Sequence, residues 1–303
     1  MMRQNRRQFI ETTLAGAGLM MAPGWLAGAE PTVAPTKRTA VDRVALGRTG
    51  IRASRLAQGT GYNGYNHSSA HTRMGKESFD RLLRHSLDQG ISFIDMADLY
   101  GSHSFVKDVV KGIPRERYVL LSKIWPRTEP WVKASGGAME EVDRFRKELD
   151  VDRIDICLIH CMTDSRWPAN YERIRDELSE LKQKQAVGAV GVSCHDHGAL
   201  KAAAAHPWVD VIFARINHKG GSEYSCDDTV EGVTETIKLA RRNGKAVVGM
   251  KIFGAGKLVK PEEKDASLRY VLGNDLVDAM TIGMLSVEQV DDTISRINRA
   301  LNA

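Results

Sequence analysis

Four side chains stand in an order that chemistry can use: Asp95, Tyr100, Lys123 and His160. The first two belong to FIDMADLYG, residues 93–101, where an apolar start, Phe93 and Ile94, meets Asp95, Asp98 and Tyr100 and stops at Gly101. Lys123 follows Val119-Leu120-Leu121-Ser122, an interior strand pattern. A lysine there is costly unless paired, and Asp95 is the natural partner. His160 follows Ile154-Asp155-Ile156-Cys157-Leu158-Ile159 and shares parity with Ile156 and Leu158, so it is expected to face inward. This set suits carbonyl reduction, in which a hydride reaches carbon and a proton must reach oxygen. Tyr100 is a weak acid with an ordinary pKa of about 10. A lysine cation beside it lowers that pKa, Asp95 holds the lysine, and His160 orients the carbonyl oxygen. Taken singly, Asp95 and Lys123 are equally an ion pair and His160 a core histidine; the ordered set carries the argument. Asp98 reads as a turn or helix-cap residue.

The elements that must position these groups alternate along the chain. Short β-rich runs cover Arg55–Gly59, Ile91–Ala97, Tyr118–Ile124, Ile154–His160, Ala189–Cys194, Val209–Asn217, Ala246–Phe253 and Val277–Gly283. Amphipathic helices fall between them. Phe79, Leu82, Leu83 and Leu87 make one apolar stripe closed by Gly90. Ile174, Leu178 and Leu181 make a second, and Val230, Val233, Ile237 and Ala240 a third, stopped by Gly244. Eight strand–helix units in succession predict an α/β fold of the (β/α)8 TIM-barrel type, with its site at the C-terminal strand ends. The alternative, a doubly wound sheet, lacks a G-x-G-x-x-G after its first strand.

Asp95, Tyr100, Lys123 and His160 match, in order and approximate spacing, the Asp-Tyr-Lys-His tetrad of the aldo-keto reductase family. Leu46-Gly47-Arg48-Thr49-Gly50-Ile51 resembles that family's opening hairpin, which plugs the barrel floor. The resemblance spans residues 43–303 and implies a barrel that binds NADP or NAD without a Rossmann fold. It implies a nicotinamide contact at Ser193, with Cys194 where the family commonly has Asn. No Gln follows strand six, and Met250 stands where many relatives stack an aromatic on the nicotinamide. Met250-Lys251 and then Gly254-Ala255-Gly256-Lys257 resemble a branch with a Met-Lys pair, the glycines giving backbone N–H groups access to the pyrophosphate and Lys257 adding charge. Gly283 to Gln289, with Asp292, resembles the adenosine-binding segment. No basic residue for a 2′-phosphate stands around Leu285 and Ser286. The substrate pocket is expected to be completed by Gly61–Arg73, with Tyr62, Tyr65, His67 and His71, and by the Trp167 loop.

A rival constellation is His195-Asp196-His197, which resembles the H-x-H of metal-dependent barrel hydrolases and, with His160, His218 and an acid, would bind zinc. His197 is more simply the start of the next helix, and no metal ligand is assigned. The four cysteines, Cys157, Cys161, Cys194 and Cys226, match no zinc or iron–sulfur spacing. Cys157, mid-strand, reads as a small buried hydrophobe.

Residues 1–29 differ in kind. Asn5-Arg6-Arg7-Gln8-Phe9-Ile10 precedes a short Ala/Gly-rich apolar run, Leu14 to Trp25, and Ala27-Gly28-Ala29 supplies a cleavage site. This resembles a twin-arginine export signal, read by the translocation machinery and leading to a periplasmic or otherwise exported protein. The run is too short and glycine-broken for a stable membrane span. Residues 30–42 read as a Pro/Thr linker. Net charge is +5, with acids and bases interleaved, so no nucleic-acid stripe is present. The expected activity is NAD(P)H-dependent reduction of an aldehyde or ketone, sugars included. Export favours a tightly bound cofactor, and with it a redox-neutral cycle on a sugar as a second reading. A non-enzymatic binding subunit is a third, opposed by the complete tetrad.

Overall fold

The computed structural model describes residues 37–303. The expected export signal, 1–29, and residues 30–36 of the expected linker lie outside them. Two short strands, β1 (Arg43–Ala45) and β2 (Arg52–Ser54), form an antiparallel hairpin. Eight further strands follow: β3 (Leu56–Gly59), β4 (Phe93–Asp95), β5 (Val119–Ile124), β6 (Ile154–Met162), β7 (Val187–Cys194), β8 (Val211–Arg215), β9 (Ala246–Met250) and β10 (Ala279–Ile282). They close into a parallel barrel in chain order, with β10 pairing β3. The helices are α1 (Ala70–Arg73), α2 (Lys76–Asp88), α3 (His103–Val110), α4 (Ala138–Leu149), α5 (Trp167–Asn170), α6 (Glu172–Gln183), α7 (His197–Ala205), α8 (Val230–Arg242), α9 (Pro261–Gly273) and α10 (Val287–Leu301). This is the (β/α)8 TIM barrel expected from the alternating pattern. No helix among the described residues is long and apolar enough to cross a membrane.

Side-chain parity sorts each strand between two cores. Phe93, Val119, Leu121, Ile156, Leu158, Phe213 and Val248 fill the barrel. Their neighbours Ile94, Leu120, Cys157, Ile159, Ile212 and Val247 pack outward. There they meet the helix stripes predicted from spacing, Phe79, Leu82 and Leu83 on α2 and Val233, Ile237 and Ala240 on α8.

The hairpin closes the barrel floor. Leu46 is fully buried in the inner core. Gly47 has φ +50°, and a Cβ there would lie 2.4 Å from the Ala246 nitrogen, so only glycine lets the turn seat against β9. Residues 37–42 join the body. Ala40 is buried, donates its N–H to Asn298 Oδ1 at 2.7 Å and accepts from Leu56 N–H at 2.8 Å.

Most strands differ from their expected bounds by one to three residues, and at two ends the local reason is visible. β9 stops at Met250 because Lys251 adopts a left-handed φ of +60°. β6 runs two residues past His160 through a bulge between Ile159 and Met162, where Cys161 has φ +64°.

Candidate active site

Pairing register brings the acid and the lysine together. Asp95 pairs with Leu121 across β4 and β5, and Lys123 lies two residues on, facing the same way. Both are buried. Lys123 Nζ donates to Asp95 Oδ1 and, at 2.8 Å, to the Met96 carbonyl. The second Asp95 oxygen accepts from Thr281 Oγ1 of β10 at 2.8 Å. The ammonium also sits 5.0 Å from the centre of the Tyr100 ring and 5.1 Å from that of Phe213.

Tyr100 is carried by a single 3-10 turn, Asp98–Tyr100. Gly101 ends the turn at φ +63°, and a Cβ there would lie 2.0 Å from the His67 carbonyl oxygen. The phenol ring lies flat against backbone: a Cβ on Gly61 would come within 2.3 Å of Cζ, and one on Gly64 within 2.6 Å of Cδ1. Tyr100 Oη stands 3.5 Å from His160 Nε2. That is a loose contact, of the kind that tightens when a substrate oxygen enters. His160 faces inward as its parity predicts, with Trp125 packed edge-on at 5.6 Å.

Burial sets the protonation states. It pushes the Tyr100 phenol well above 10, and the Asp95 charge adds to the rise. Lys123 does not bring the expected lowering. Burial also lowers Lys123, against the opposing pull of Asp95. It pushes His160 well below its ordinary value, helped by Lys123, His195, Arg127 and Lys251. The site at neutral pH therefore holds a protonated phenol and a neutral imidazole.

A cleft of about 310 Å³ runs from Asp95 and Tyr100 along the ends of β9 and β10. Met250, Lys251, Gly256, Gly283 and Gln289 line it, as expected. The other residues assigned to a cofactor do not. Ser193 lies on the inner face of β7 but accepts the Cys161 N–H at 2.7 Å. Cys194, one residue on, has the opposite parity and is buried in the outer core. Gly254 is buried in the turn at φ +58° and acts through backbone shape. Lys257 is exposed outside the cleft. Asp292 lies on α10, where it accepts from Arg296 at 2.8 Å.

Several groups at the barrel mouth were missed. Lys264 of α9 lines the cleft, invisible in a helix whose other charges are solvated. Arg215 occupies the end of β8, donates to the His195 carbonyl at 2.7 Å and pairs with buried Asp227. Tyr62 does line the cleft, whereas Trp167 is buried against Trp208 and His206 and is no part of the mouth. Trp125 and Trp131 replace it there. Asp98 opens the 3-10 turn, as expected of a turn residue, and its buried carboxylate is ion-paired with Arg144 of α4 at 2.6 Å.

The H-x-H reading fails on geometry. His197 begins α7, with Nδ1 on Asp228 at 2.5 Å and Nε2 on Thr236 Oγ1 at 2.9 Å. Both of its nitrogens are taken. Among the described residues no group of three or more His, Cys, Asp or Glu side chains is placed to hold a metal.

The donor set of the cleft fits a dinucleotide. Lys251 and Lys264 both line it, and neither has a carboxylate partner among the described residues. Met250, largely buried at the inner end of β9, offers an apolar shelf beside Tyr100.

Comparison with known proteins gives the family. A model of the Aldo/keto reductase family matches residues 56–267. The chain belongs to the aldo/keto reductase family. The L-galactose dehydrogenase of Arabidopsis thaliana is 21% identical over 295 residues, covering 86% of this chain and 89% of that protein. The aldo-keto reductase YhdN of Bacillus subtilis is 28% identical over 164 residues, covering 50% of this chain and 47% of its own length. Among solved structures, the holo form of an aldo-keto reductase from Bacillus halodurans superposes with a TM-score of 0.67 at 19% identity, over 86% of this chain and 95% of that one. An aldo/keto reductase from Klebsiella pneumoniae, solved with NADP and acetate, gives 0.62 at 17%, over 87% and 91%. The family supports an oxidoreductase that reduces carbonyl groups.

Proposed function

We propose that the protein reduces an aldehyde or ketone to an alcohol with NADPH or NADH, Tyr100 delivering the proton. The observation that carries this is the convergence of Tyr100, His160 and the Lys123–Asp95 pair at one end of the cleft. A bound nicotinamide supplies the hydride. Lys251 and Lys264 would hold its phosphates, and Met250 would support its ring. The substrate oxygen enters between Tyr100 Oη and His160 Nε2, where a neutral imidazole donates a hydrogen bond and the phenol donates its proton. Lys123 faces the phenol ring and favours the phenolate left behind, while Asp95 and Thr281 keep the ammonium in place. We further propose that the chain is exported by the twin-arginine route with its nucleotide bound.

The direct test uses NADPH and NADH carrying deuterium at C4 of the nicotinamide, with glyceraldehyde as substrate. Deuterium at the carbinol carbon of glycerol is the expected result, and it identifies the cofactor. Glycerol formed without deuterium, or no glycerol with either nucleotide, would overturn the reading.

A further inference from the structure

Among the described residues, four large hydrophobic side chains are substantially exposed: Tyr65, Trp131, Leu239 and Val259. Two of these touch each other, and they stand at the active-site mouth. Tyr65 is 58% exposed and Trp131 39%, and their rings meet edge-on at 6.2 Å. From there a ring-to-ring path leads inward. Trp131 packs on Trp125 at 5.4 Å, Trp125 on His160 at 5.6 Å, and His160 on Tyr100 at 5.7 Å.

Both outer rings are presented by closed turns. Tyr65 N–H donates to the Ser68 carbonyl at 2.9 Å and Ser68 N–H returns to Tyr65 at 3.0 Å. Asn66 and His67, between them, are both left-handed at φ +47° and +56°, as a type I′ turn requires. The second turn is closed by Glu129 N–H to the Val132 carbonyl at 2.8 Å and Val132 N–H to Glu129 at 3.2 Å, with Trp131 at its tip. The two rings stand at 84° and make a corner open to solvent.

We propose that this corner is an outer subsite for a sugar ring, and that the natural substrate is a reducing oligosaccharide presenting its open-chain carbonyl to Tyr100. The proposal rests on the reductase reading for its inner end. Two ring spacings separate His160 from Trp131, a reach suited to a two-ring molecule and beyond a small aldehyde. The surroundings select the ring's chemistry. Asn66 and Ser68 lie in the first turn and Glu129 in the second, with exposed Asn63 and Thr128 just outside them, so hydrogen-bonding side chains flank the aromatic pair. A pyranose needs that combination, an apolar C–H face for the aromatic plane and hydroxyls for the rim. An aryl or alkyl group would leave the rim unmatched. Two rings are also far too little area for a stable protein partner.

The test compares cellobiose, whose second ring would reach the corner, with ringless glyceraldehyde, in wild type and Trp131→Ala. The ratio of kcat/KM for cellobiose over glyceraldehyde is expected to fall about tenfold, the loss of one good ring contact. An unchanged ratio would overturn the subsite. So would a fall confined to 4-nitrobenzaldehyde over glyceraldehyde, which would mark an aryl site. If wild type reduces none of these, the reductase reading fails separately. Cellobiose titrated against tryptophan fluorescence then decides the subsite alone: saturable binding weakened by Tyr65→Ala supports it, and no binding overturns it.

Discussion

A proton on Tyr100 at neutral pH is what a reductase needs, because the phenol must give it away. Burial and the Asp95 charge keep it there. The lysine acts at the other end of the step, on the phenolate. Asp95 thus does two things: it holds a buried cation in place, and its charge helps to keep the phenol protonated. Asp95→Asn leaves Lys123 buried without a counter-charge. It is expected to cost about 3–5 kcal/mol of stability, measured by urea unfolding. A loss within experimental error of zero would mean that Lys123 is neutral in the folded protein. The four catalytic candidates stood out in the sequence: Asp95, Lys123 and His160 as polar groups on inward strand positions, and Tyr100 as a phenol just past a strand end. The family pattern reads Ser193 and Cys194 as a pair, whereas strand parity sends one into the barrel and the other out of it.

Elements decide how well these groups are aimed. Tyr100 sits on one turn of 3-10 helix, so its ring is held by what lies against it, the bare backbone of Gly61 and Gly64. Gly61→Ala is expected to displace the ring and lower kcat/KM about 100-fold while the protein stays folded. Wild-type kinetics with an unchanged melting curve would show that the ring is placed some other way. The loop beyond β3 is also pinned through His71, which is buried and lies 2.9 Å from the Met284 carbonyl. Burial pushes its pKa down to about 4 from 6.5. Between those values the unfolded chain binds more protons than the folded one, so this stability is complete above about pH 6.5 and lost as pH falls toward 4. The full amount is about 3 kcal/mol. His71→Gln keeps a donor for Met284 and is expected to flatten the urea midpoint between pH 7 and pH 4; an unaltered slope would contradict it. The helices and strands were legible from period alone. The loops were not: Trp167 is prominent in the sequence but buried, and Trp131, which reaches the mouth, sits in a stretch with no periodic signal.

At the scale of the molecule, a barrel gathers eight strand ends into one mouth, and the order of residues along the chain becomes an order around a ring. That is why four residues spread from 95 to 160 meet, coming from β4 and the turn beyond it, β5 and β6. The same closure places the cleft between β9 and β10, across the barrel from β5 and β6. Closure itself was predictable from eight alternating units; the contribution of Lys264 was not, because it depends on how α9 leans over the mouth. The central claim is that Tyr100 supplies the proton in a site that otherwise binds its nucleotide independently. It is tested most directly by loading wild type and Tyr100→Phe with NADPH, mixing each with glyceraldehyde, and following oxidation of the bound nucleotide in a single turnover. The account predicts equal NADPH binding in the two proteins and a transfer rate about 10²–10⁴-fold lower in the variant. A rate close to wild type in Tyr100→Phe would contradict it.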